Sequence, residues 1–157
     1  GGDLWLLKPA TYMNESGRSV AAAARFYKVP IGDIVVIHDE IDLAPGRIRT
    51  KLGGGIAGHN GLRSIAQHLG MDFHRVRIGV GHPGDKDLVA NYVLSDFAKV
   101  DRTWVDPAVD AIAEAAPFLV KHDEKGFTNK LALILTPPKP KTKPPSDDTS
   151  RGGEGND

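Results

Sequence analysis

Residues Ile34 to Ile37 read IVVI, four consecutive β-branched side chains between Gly32-Asp33 and His38-Asp39-Glu40. The run is too short for a helix and apolar on both sides of an extended chain. It therefore specifies a strand buried on both faces, the kind found in parallel sheets. Such a strand needs helices above and below it, which restricts the chain to α/β architectures. The neighbouring segments agree. Arg75 to Val80 reads as a second buried strand, and Arg47 to Leu52 (RIRTKL) alternates basic and apolar residues as a half-buried strand with a positive outer face does. Leu4 to Leu7 (LWLL) is a further apolar run of strand length and predicts another buried strand.

Between these runs lie helical patterns. Val20, Ala23, Ala24 and Tyr27 fall at helical spacing within Ser16 to Tyr27, and Val29-Pro30 closes that segment. Leu62 to Leu69 predicts a second helix. Asp106 to Val120 predicts a third, with Ile112, Ala116 and Leu119 on one face, and Phe127 to Leu135 a short final one. The sum is a single α/β domain over residues 1–135, a mixed, mainly parallel twisted sheet flanked by helices. Residues 136–157 differ: prolines interleaved with lysines, then Ser, Asp and Gly, leave almost no apolar surface to bury and predict a disordered tail.

Absences narrow the chemistry. The chain has no cysteine, so disulfides, thiolate metal sites and cysteine nucleophiles are excluded. No apolar run has the length of a membrane span and the first residues lack signal-peptide character, so a cytoplasmic protein is expected. Six histidines raise a metal reading, with His38, His59, His74 and His82 as conceivable ligands, but none lies in a dense ligand motif. No G-x-S-x-G elbow is present.

The residues suited to a site are few. Gly53 to Gly61 (GGGIAGHNG) is a glycine-rich loop in which the backbone can turn sharply and approach a ligand, with His59-Asn60 inside it. It lacks the Gly-Lys-Ser/Thr of a phosphate loop and the glycine spacing of a dinucleotide fold, so it points to neither class. A plain flexible turn is the other reading. Asp39 follows a buried strand, where open α/β sheets place ligands and a carboxylate can orient a histidine; a solvated acidic turn with Glu40 and Asp42 is the alternative. The total formal charge is zero. Yet Arg47, Arg49, Lys51, Arg63, Arg75 and Arg77 face a single acid, Asp72, across residues 47–77, a local excess of five positive charges suited to phosphates if they share one surface.

Together these residues form a known pattern. Lys8 to Gly17 (KPATYMNESG), Ile37 to Asp42 (IHDEID) with Pro45-Gly46 after it, Lys51 to Leu62 (KLGGGIAGHNGL) and Phe73 to Asp85 (FHRVRIGVGHPGD) resemble bacterial-type peptidyl-tRNA hydrolases in order and spacing. The resemblance runs from about Leu4 to about Leu133. It implies a monomer with no metal or other cofactor that hydrolyses the ester between a peptide and the 3′ ribose of tRNA. It implies that Asp39 orients a histidine base, that Asn14 and Asn60 hold the substrate and help position water or the oxyanion, and that Tyr12, Met13 and His59 line the peptide site. Lys51 and Arg77 match a pair that grips tRNA phosphate. The family also has a G-L-G-N-P-G-type loop and a T-R-H-N-x-G segment that carries the base, and neither is in this sequence. The expectation is therefore an N-terminally incomplete chain of weak or no turnover. A non-catalytic RNA-binding relative is the alternative, and an unrelated nucleotide-binding enzyme a third class without its phosphate lysine.

Overall fold

The computed structural model describes residues 2–136. Its helices are α1 (Ser16–Tyr27), α2 (Asn60–Leu69), α3 (Val89–Leu94), α4 (Arg102–Val120) and α5 (Glu124–Leu135), and its strands are β1 (Val35–Glu40), β2 (Ile48–Leu52) and β3 (His74–Gly79). The strand order is β1-β3-β2. The last of the described strands is thus the central one. β3 pairs in parallel with β1, Val35 opposite His74 and Glu40 opposite Gly79, and antiparallel with β2, Ile48 opposite Ile78 and Leu52 opposite His74. The sheet is mixed, as expected.

Strand alternation divides the core into two clusters. On one face Val76 and Ile48, with Val35 and Ile78 beside them, pack against Ala108, Ala111, Ile112 and Ala115 of α4 and Phe127 and Leu131 of α5. On the other, Leu62 and Ile65 of α2 meet Phe73, Val36, Ile34 and Ile56, and α1 adds Val20. The result is the helix–sheet–helix sandwich that the IVVI run required. Alanines at 108, 111 and 115 bring α4 close to the sheet, and fully buried rings such as Phe73 and Phe127 each contribute about 1.5–3 kcal/mol.

Helix ends follow side-chain chemistry. Lys28 adopts φ 56°, closing α1 before Val29-Pro30, and Asp123 caps α5 by accepting the Gly126 N–H. At the far end of the sheet from Asp39, His74 Nδ1 lies 3.1 Å from Glu124 and His122 Nε2 2.9 Å from Asp33, tying the α4–α5 turn to the sheet and to the α1–β1 connection.

One expected element needs correction. Leu4 to Leu7 forms no strand: all four residues are exposed and pair with neither edge of the sheet, and Trp5 instead stacks on Tyr27 with ring centroids 3.7 Å apart. Beyond Asp85 a 3₁₀ turn at Lys86–Leu88 leads into α3. The tail expected over 136–157 lies, Thr136 apart, outside the described residues. None of the described helices is long and apolar enough to cross a membrane.

Candidate active site

The site grows from the end of β1 and the glycine-rich loop that leads into α2. The loop turns through left-handed conformations at Gly53, Gly54, Ala57 and Gly58 (φ 63°, 88°, 49° and 78°). At Gly54 two demands coincide: a side chain is strained at that φ, and a Cβ would stand 2.6 Å from Lys51 Nζ, so the lysine head rests where only glycine leaves room. The loop is held from below by Arg75. Its guanidinium donates to the carbonyls of Gly55 (2.6 Å), Gly54 (3.0 Å) and Met71 (3.4 Å) and lies over the Phe73 ring. Arg75 is only 2% exposed, so it is a brace for the loop and not a member of the basic surface expected from the sequence.

His59 ends the loop as the N-cap of α2. Its Nδ1 accepts the Leu62 N–H at 3.2 Å, and its Nε2 lies 2.9 Å from Asp39 Oδ1. The first bond fixes the tautomer: Nδ1 must be bare, so the ring proton sits on Nε2 and is donated to the carboxylate. Partial burial alone would raise the Asp39 pKa, but the hydrogen bond donated by His59 outweighs it, and the carboxyl is held below its ordinary value. Asp39 is an anion with one oxygen committed. With both ring nitrogens engaged, His59 has no lone pair with which to act as a base.

Next to them His38 crosses the His59 ring edge-on, centroids 5.1 Å apart. Its Nδ1 donates to the Asp39 carbonyl at 2.8 Å, which leaves Nε2 as a bare acceptor, buried and without a partner. Burial pushes the His38 pKa down to about 4, against the Asp39 carbonyl bond and carboxylate charge that raise it and with repulsion from Arg75 assisting. His38 and Glu40 share the α2 face of the sheet with Arg75, Arg77 and Lys51, and together with Ile56 and Leu62 they line a cavity of about 320 Å³.

The expected site residues fall as follows. Asp39 and His59 touch, and Asn60 follows as the first residue of α2. The turn Met13–Glu15 packs on α2, and Met13 Sδ sits over Gly61, where a Cβ would lie 2.7 Å from the sulfur and 3.0 Å from the His59 ring. Asn14 is therefore carried to the same helix terminus. Tyr12, Asn14 and Asn60 are exposed, and their side chains make no hydrogen bond among the described residues. Lys51 and Arg77 line one cavity, and Arg77 Nη1 stands 3.9 Å from Glu40 Oε1, a loose pair. The chemistry of His38 escaped sequence reasoning, which weighed it only as a metal ligand; its shared strand parity with Arg75 and Arg77 was the available signal. Among the described residues no His, Asp and Glu group is arranged to hold a metal ion.

The chain is similar to known proteins over most of its length. A family profile described as peptidyl-tRNA hydrolase matches residues 1–141. The peptidyl-tRNA hydrolase of Parvibaculum lavamentivorans is 56% identical over 147 residues, covering 91% of this chain and 72% of its own length. That of Bradyrhizobium diazoefficiens is 57% identical over 130 residues, covering 83% and 65%. The crystal structure of peptidyl-tRNA hydrolase from Acinetobacter baumannii superposes with a TM-score of 0.73 at 43% identity, covering 78% of this chain and 63% of that one. The chain spans about two thirds of the length of these relatives.

Proposed function

The chain belongs to the peptidyl-tRNA hydrolase family, and from that premise we propose that it serves to hydrolyse the ester of peptidyl-tRNA, releasing peptide and reusable tRNA. The observation that carries this reading is the 2.9 Å contact of Asp39 with His59 at the start of α2. One carboxylate oxygen is anchored by His59, which fixes the orientation of the other. Asp39 Oδ2 takes no hydrogen bond from another residue's side chain among the described residues, and in this reading it is the oxygen that polarises the histidine of the family's T-R-H-N-x-G segment, which is not among the residues of this sequence.

His59 is then the support of that carboxylate and not the base itself. Asn60 stands at the positive end of α2, where its amide and the helix terminus favour the oxyanion that develops on the ester carbonyl. Asn14 and Met13, delivered by the turn on α2, hold the peptide, with Tyr12 beside them. Lys51 and Arg77 take tRNA phosphate. The protein acts in the cytoplasm as a monomer without metal.

The test is release of labelled peptide from peptidyl-tRNA by a protein in which this chain is preceded by that segment, and by the Asp39→Asn variant of that protein, with binding measured in parallel. Asp39→Asn is expected to lower release by about 10²-fold or more, and Lys51→Ala to weaken binding. Release that ignores Asp39→Asn, or a chain that neither binds nor cleaves peptidyl-tRNA, overturns the reading.

A further inference from the structure

Three buried side-chain atoms lack a hydrogen-bond partner among the described residues, His38 Nε2, Arg75 Nε and Arg77 Nε, and all three residues line the same cavity of about 320 Å³. Buried polar atoms are rarely left unmet, so a shared set of them describes what the cavity is built to hold. Two are N–H donors and need acceptors. The third is a bare imidazole nitrogen and needs a donor. The volume is at the lower end of small-molecule sites, and Lys51 adds a second mobile cation to the wall.

These demands discriminate among occupants. An ammonium ligand would meet Lys51, Arg75 and Arg77. A phosphodiester without a sugar hydroxyl, as in DNA, would satisfy the guanidiniums but present only lone pairs to His38. A phosphate joined to a hydroxyl-bearing sugar satisfies all of them. We propose that the cavity takes a ribonucleotide, its phosphate on Lys51 and Arg77 and its ribose 2′-hydroxyl donating to His38 Nε2, so that His38 distinguishes RNA from DNA. The inference rests on the reading of Lys51 and Arg77 as contacts to tRNA phosphate and adds the group that reads the sugar. Burial, which holds His38 neutral at physiological pH, keeps Nε2 an acceptor there. The 2′-hydroxyl is the feature by which a protein tells RNA from DNA at one position.

The experiment compares binding of an acceptor-stem RNA hairpin and its all-DNA counterpart, at fixed salt, to the chain and to its His38→Phe, His38→Gln and Lys51→Ala variants. The chain is expected to prefer RNA by about five- to tenfold. His38→Phe is expected to abolish the preference, His38→Gln, which keeps an acceptor, to retain part of it, and Lys51→Ala to weaken both ligands alike. In the unmodified chain, RNA but not DNA is expected to shift the ¹⁵N resonance of His38 Nε2, a readout independent of whether the variants fold. No preference in the chain, a preference that survives His38→Phe, or an unmoved His38 resonance overturns the proposal while leaving Lys51-dependent binding intact. Failure of both nucleic acids to bind removes the tRNA reading and this one with it.

Discussion

The backbone N–H of Gly17 donates to Ser64 Oγ at 2.9 Å in a buried contact between α1 and α2, elements 47 residues apart in the chain. A Cβ at position 17 would stand 2.0 Å from the Ser64 carbonyl oxygen, so the two helices touch backbone to backbone. Gly17→Ala must part them, and α1 carries the Met13–Glu15 turn at its head. The expected cost is about 2–3 kcal/mol of overpacking, read as a lower denaturation midpoint at unchanged slope. A variant as stable as the parent would show that the contact yields freely.

Arg75→Met separates the brace from overall stability. The substitution loses bonds from a charged donor, each worth about 1.5–3 kcal/mol, but also removes the desolvation cost of a buried guanidinium. These terms nearly cancel, so global stability should move by less than about 1.5 kcal/mol. Backbone ¹⁵N order parameters of Gly54 to Ala57 should nevertheless fall clearly, since Arg75 holds the carbonyls of Gly54 and Gly55. Unchanged order parameters would show that Arg75 does not hold the loop.

Acid should destabilise the fold through His38. Its folded pKa is about 4 against about 6.5 when unfolded, so between those values the unfolded chain binds the extra proton and stability falls as pH falls. The loss across that window is at most about 3 kcal/mol. The depressed Asp39 carboxyl acts in the same direction at lower pH, its contribution being lost as pH drops through its folded value. Unfolding followed from pH 7 to 4 should be flatter in His38→Gln than in the parent; identical slopes would show that His38 charges without penalty.

His59→Asn divides the two bonds of that ring. Asparagine is an effective N-cap and should keep α2 capped, holding stability to within about 0.5 kcal/mol, while it gives up the imidazole that lowers the Asp39 pKa. Carboxyl ¹³C titration should then show Asp39 shifting upward. A carboxyl that titrates as before would mean that His59 does not set its charge.

Layering and element types were legible because IVVI, the alternating RIRTKL and the helical spacing of Val20, Ala24 and Tyr27 each carry a period that only one structure satisfies. Leu4 to Leu7 deceived for the same reason: apolarity supplies the wish to be a strand, but pairing is a property of the neighbour. Asp39 and the glycine loop were readable as site material. Their union was not, because the Asp39–His59 bond spans 20 residues and depends on where α2 begins. Arg75 was miscounted as surface because charge in a sequence says nothing about which carbonyls will receive it.

Among the described strands, β1 and β2 never pair with each other; both wait for β3. As the chain leaves the ribosome, the β1–β3 and β2–β3 ladders must therefore wait until residues 74–79 have been made, because the strand common to them is synthesised after the other two. The two described ladders accordingly close late and by non-local contacts, the slow kind in folding.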